Sequence, residues 1–145
     1  HTLEPNKTSL NQLVMSVDAI YPVIEIHNFA IHGSKPHGAE LIANNAIHAG
    51  TIFGKKIKHL KGNLITNLSL HFDDEIVDSW NAIQWPKDIL TGLKWLVQEY
   101  AKIGKKLNKG DLVLTGALGP PIPLGEKKKV EVKSSAFGDV CATFL

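Results

Sequence analysis

Two stretches of this 145-residue sequence put groups capable of chemistry where packing alone does not call for them. The first is Val23-Ile24-Glu25-Ile26-His27. Period-two alternation places Val23, Glu25 and His27 on one face of a strand and Ile24 and Ile26 on the other. A carboxylate in so apolar a strand is either a solvated edge residue or part of a site. The second stretch runs from Gly110 to Val132 and reads GDLVLTGALGPPIPLGEKKKVEV. Gly110-Asp111 is a turn signal, Leu112 to Leu114 reads as a short strand, and Thr115-Gly116-Ala117-Leu118-Gly119 comes next as a small-residue loop. Gly116 and Gly119 permit positive φ and close approach of a ligand, while Pro120, Pro121 and Pro123 stiffen the chain beyond them and offer no N–H. The Thr115 hydroxyl and the Gly116 and Ala117 N–H groups are donors suited to a small oxygen-rich ligand. A wide turn between two strands would use the same residues.

Other candidates carry competing readings. Asn44 and Asn45, within ELIANNAIHAG, serve either a site or the capping of a helix-to-strand corner. His27, His32 and His37 recur at a five-residue spacing that fits no common zinc pattern, and no cysteine accompanies them. Asp73-Asp74 reads as a hairpin tip rather than a metal site. Cys141, the sole cysteine, allows no internal disulfide, and its alternating neighbours favour a packed strand thiol over a nucleophile.

The elements that must position these groups can be read in order. His1 to Lys7 is a loose polar start. Ser9 and Gln12 form a capping box for a helix running to about Ala19 on Leu10, Leu13, Val14 and Val17. After the strand at Val23 to His27, Phe29 to Gly38 is a loop, and Gly50 to Phe53 a strand. Lys55, Lys56, Lys58 and Lys61 make a solvated edge. Asn63 to Phe72 alternates as a strand, turns at Asp73-Asp74 and returns through Glu75-Ile76-Val77. Pro86 and Asp88 open a helix with an apolar stripe of Ile89, Leu93, Leu96, Val97, Tyr100 and Ile103, closed by Lys102 and Gly104. Trp95 lies off that stripe and packs on a neighbouring element or a partner subunit. Lys127 to Lys133 and Gly138 to Phe144 form a strand pair, with Lys127 to Lys129 as a solvated flank. The order of helices and strands gives an α+β domain rich in antiparallel or mixed sheet.

Composition narrows the function classes. A single domain, 1–145, is expected at this length, with 43% hydrophobic and 21% charged residues. The net charge is +2 and all sixteen basic residues are lysine. The bidentate arginine that reads bases or clamps phosphate is missing, so no nucleic-acid partner is expected. No apolar run reaches the roughly 18 residues of a membrane span, no signal-peptide pattern opens the chain, and no membrane partner is expected. A chain that begins with His1 reads as processed or cut from a longer one, so an exported form stays open beside the expected cytoplasmic location.

Taken together, VIEIHN, ELIANNAIHAG, GDLVLTGALGPPIPL and FGDVCATF resemble, in order, the fumarylacetoacetate hydrolase superfamily, over about residues 8 to 144. The likeness is to its hydratase and decarboxylase branch, in the C-terminal part. The resemblance implies a mixed β-sandwich or β-roll with helices packed outside, a homo-oligomer, and a Mg2+ or Mn2+ ion that stabilises the enolate of a small 2-oxo acid. It also implies Glu25 as a metal ligand and Asn45, Thr115, Gly116, Ala117 and Leu118 as substrate-binding positions. The implied reaction is hydration of a 2-hydroxypenta-2,4-dienoate. A 2-oxohex-3-enedioate decarboxylase, a carbon–carbon hydrolase and a non-catalytic member that keeps the fold are the alternatives. The family's Glu-x-Glu pair, and the lysine and aspartate associated with proton transfer, lie upstream of the Glu25 position and have no counterpart here. Asn44 stands where hydratases more often carry aspartate. An upstream segment of the family is therefore expected to be missing.

Overall fold

A computed structural model describes residues 8–28, 37–58, 60 and 62–145. The first helix, α1 (Leu10–Ser16), opens on the expected capping box. The Ser9 N–H donates to Gln12 Oε1 at 2.7 Å, and the Gln12 N–H donates to Ser9 Oγ at 3.3 Å. Val17 is already extended, so the helix stops short of Ala19, which opens the two-residue strand β1 (Ala19–Ile20). Strand β2 (Val23–His27) forms as expected. Of the expected loop at Phe29 to Gly38, residues 29–36, with His32, lie outside the described residues.

Beyond it come a short helix α2 (Ala39–Ala43), a 3-10 turn (Asn45–Ile47), β3 (His48–Phe53) and β4 (Ile57–Lys58). Strands β2 and β3 pair antiparallel, as do β1 and β4. The main sheet is built from β5 (Leu64–Phe72), β6 (Glu75–Trp85), β7 (Lys129–Ser134) and β8 (Val140–Thr143), in the order β6-β5-β7-β8. Every pairing among the described residues is antiparallel. Asp73 and Asp74 turn the β5–β6 hairpin with φ of 48° and 72°. Double positive φ is what a two-residue hairpin needs, and aspartate tolerates it.

Helix α3 (Lys87–Lys102) packs against β6 and α1. It buries Leu90, Leu93 and Val97 with Leu13, Trp85 and Phe137. Leu90 takes the place expected of Ile103, which is 65% exposed because the helix has already ended at Lys102. Trp95 is off the stripe as expected and points outward, 61% exposed. Cys141 of β8 is exposed, which corrects the packed thiol expected there, since the residue this strand buries is its neighbour Val140. No helix among the described residues is long and apolar enough to cross a membrane.

The segment from Leu112 to Leu114 is not a strand. Its alternation is real, with Val113 packed on the core and Leu112 and Leu114 exposed. What it lacks is a neighbouring strand to complete a ladder. Helix α3 and β6 hold the loop beyond it instead. A Cβ built on Gly92 would sit 2.6 Å from the Thr115 carbonyl oxygen, and one on Gly119 would sit 3.2 Å from Trp80 Cζ2 and 3.4 Å from Asp78 Oδ2. The two glycines are the clearances through which the loop reaches helix and sheet.

Three outcomes are expected. Leu13→Ala, which empties a fully buried position in the cluster around α3, should cost about 2–5 kcal/mol in a denaturant titration, against less than about 0.5 for Trp95→Ala. Gly92→Ala should lose about 1 kcal/mol or more, because crowding against a backbone oxygen outweighs the helix propensity gained. The third concerns acid. Backbone N–H groups of Lys129 and Lys128 donate to Asp73 Oδ1 at 2.8 and 3.0 Å, and they hold this carboxyl below its ordinary value of 3.8. A depressed carboxyl stabilises the fold above its unfolded pKa and loses that contribution as pH falls through the folded one. The stability gap between wild type and Asp73→Asn should therefore shrink below about pH 4.

Candidate functional site

Glu25 sits mid-strand in β2, opposite Thr51 of β3. Its Oε1 lies 2.8 Å from His48 Nδ1 and 3.6 Å from His27 Nε2. The ladder explains the convergence. His27 and His48 are cross-strand partners, and the pairing shifts between Ile26 and His27. That irregularity brings both rings toward the carboxylate two residues back along the face. The side chains of Glu25, His27 and His48 are 28%, 22% and 29% exposed, so the group is neither a solvated edge nor a dry core. Such an arrangement can orient an imidazole and hold a proton between Oε1 and Nδ1.

Sequence alternation puts Glu25 and His27 on one face, and the structure has them there. His48 escapes the sequence pattern. Gly50 reads as the first residue of that strand, whereas the strand starts at His48. Extending the alternation back by one period finds it.

Asn45 belongs to the turn that feeds β3. Asn45, Ala46 and Ile47 have φ of 49°, 52° and 61°, three consecutive left-handed residues without a glycine. Each such residue is disfavoured by contact of Cβ with the backbone, so the turn is held by its surroundings. One tie is the Asn28 N–H, which donates to the Ile47 carbonyl at 2.9 Å. Asn45 itself is exposed, and Asn44 Nδ2 is buried with no hydrogen-bond partner among the described residues.

Thr115, Gly116, Ala117 and Leu118 are exposed on the loop over α3 and β6. Gly116 takes φ of 104°, as its type suggests. No hydrogen bond within the described residues occupies the N–H groups of Gly116, Ala117 or Leu118, which leaves them free to donate. The structure thus gathers Glu25, His27, His48 and the Asn45 turn on the β2–β3 ribbon, and places the loop on α3 and β6. Asp78 and Trp80, beneath Gly119, also escape the sequence pattern, because the returning strand reads only to Val77 and runs to Trp85.

Magnesium requires oxygen ligands in a near-octahedral set, and manganese favours similar ligands. On the β2–β3 ribbon the described carboxylate is Glu25, with His48 Nδ1 at hydrogen-bond distance and His27 Nε2 nearby at 3.6 Å. Among the described residues no group of three His, Cys, Asp or Glu side chains is arranged to hold a metal. By themselves they do not fit the metal that the resemblance implies.

No protein-family profile matches the chain. Individual proteins do. A 2-keto-4-pentenoate hydratase of Dechloromonas aromatica is 28% identical over 134 residues, covering 91% of this chain and 51% of that protein. One from Burkholderia vietnamiensis is 26% identical over 144 residues, covering 98% and 55%. The TodF product hydratase of Pseudomonas putida is 38% identical over 55 residues, covering 38% of this chain and 20% of that protein. The chain spans about half the length of the curated relatives it matches over most of its own. Along nearly all of its residues, this chain is similar to 2-keto-4-pentenoate hydratases.

Proposed function

We propose that this chain carries part of the site of a lyase that adds water to 2-hydroxypenta-2,4-dienoate, giving 4-hydroxy-2-oxopentanoate. The observation that carries this reading is the similarity to 2-keto-4-pentenoate hydratases over 91% and 98% of the chain. The Thr115 hydroxyl and the free N–H groups of Gly116 and Ala117 would bind the oxygens of a small 2-oxo acid, and their fixed backbone would orient it. The Glu25–His48 contact would hold a proton on the β2–β3 ribbon. Glu25 is the carboxylate this chain offers to a magnesium or manganese ion, whose further ligands would come from beyond the described residues. A sandwich or roll of fumarylacetoacetase type, assembled as a homo-oligomer in the cytoplasm, belongs to the same proposal.

A second reading rests on the donor set. A lone carboxylate hydrogen-bonded to His48, with His27 beside it, suits a member that keeps the fold and a small-acid pocket without turnover. Calorimetry with oxalate, in magnesium or manganese, separates the two. Metal-dependent oxalate binding that Glu25→Gln weakens at least tenfold is the outcome expected of the lyase, followed by consumption of 2-hydroxypentadienoate. Oxalate binding indifferent to metal and to Glu25→Gln would favour the non-catalytic reading, and a folded chain that binds no oxalate would overturn both.

A further inference from the structure

Beside the main sheet lies a cleft of about 350 Å³, and none of the site residues above lines it. Cross-strand partners share a face, so Ser69 of β5 stands beside Ser79 of β6 and Lys133 of β7. Near the end of this face the β5–β6 ladder breaks its register between Thr66 and Leu68. There Ala82 takes φ of 57°, an unfavourable value for a residue with a Cβ, and its N–H donates to Asn67 Oδ1 at 2.9 Å. Bulges of this kind re-aim side chains, and here Asn67 and Asn81 both line the cleft. With its oxygen engaged, the Asn67 amide keeps its nitrogen for donation.

Ser69 also lines the cleft, and its Oγ is 2.8 Å from Nε2 of His71, two residues along the same face. His71 is 9% exposed and lies opposite Glu131 in the β5–β7 ladder. A half-buried hydroxyl facing a polar cleft, with a buried imidazole at hydrogen-bond distance behind it, is the geometry of an activated nucleophile. We propose that Ser69 and His71 form a nucleophile–base pair that takes an acyl group from small esters.

With the imidazole proton on Nδ1, Nε2 accepts the Ser69 proton as Oγ bonds to the ester carbonyl carbon. The carbon–oxygen bond to the leaving alcohol then breaks, and the alcohol departs with that proton. Water then adds its oxygen to the acyl carbon as its proton goes to Nε2, the bond from Oγ to that carbon breaks, Oγ takes the proton back from Nε2, and the acid leaves. Asn67 and Asn81 bring side-chain donors to the cleft for the carbonyl oxygen, as does Lys133, whose Nζ also lies 3.3 Å from Glu131 Oε2.

The test is covalent labelling of the full chain with a fluorophosphonate probe, the adduct being located by peptide mass. Phosphonylation at Ser69, lost in Ser69→Ala and slowed at least tenfold in a His71→Gln variant that melts like wild type, is the expected result. A folded wild type unlabelled at Ser69, or one labelled equally fast without His71, would overturn the pair. Should His71→Gln fail to fold, p-nitrophenyl acetate on the wild type decides. Acetyl on Ser69 supports the proposal, and acetyl confined to lysines rejects it.

Discussion

The structure depends first on the seating of α3 over Trp85 and Leu13. Both are essentially sealed from solvent, and Leu90, Leu93, Val97 and Phe137 close the cluster around them. Full burial of side chains this size contributes on the order of 1.5–3 kcal/mol each. Part is offset at Trp85, whose Nε1 has no partner among the described residues. The cluster joins α1, β6 and the turn after β7 into one body. It also sets where the Thr115 loop can lie, because the loop's carbonyl meets the surface of the same helix. A binding loop without a strand of its own takes its position from a helix with a core of its own.

Much of this is legible in the sequence wherever local chemistry decides the outcome. The capping box at Ser9, the aspartate pair at the hairpin tip and the alternation in β2 are signals that act within a few residues, and each holds in the structure. Leu112 to Leu114 misleads because alternation reports one buried face, whereas a strand also needs a neighbour to bond with. Val113 is partly buried, packed against the core cluster without a strand partner. His48 is hidden for the opposite reason. Alternation carried back one period reaches it, but its importance comes from a cross-strand partner in another element and from an irregularity of the ladder. The Ser69–His71 contact lies in plain alternation, but serine and histidine two apart on a strand acquire meaning only once the cleft above them is known.

The Glu25 position shows how similarity and local chemistry can pull apart. Similarity along the chain points to hydratases, while the side chains around Glu25 are nitrogen bases. Glu25 meets His48 through Oε1, and both imidazole contacts are to that oxygen, so Oε2 is the atom left to face a hard cation. The ribbon therefore has a defined proton-bearing arrangement of its own, whatever else it serves.

Gly54 ties that ribbon to the main sheet. A Cβ there would fall 2.7 Å from Pro22 Cγ and 3.0 Å from both the Asp139 carbonyl and Val140 Cβ. No side chain of any kind fits between the end of β3 and the start of β8 without pushing backbone aside. Any substitution at position 54 therefore has to move Pro22 or the start of β8, while the exposed lysines immediately after it can vary at little cost. A lineage that altered the chemistry of the ribbon would do so through Glu25 and the histidines and leave this glycine alone.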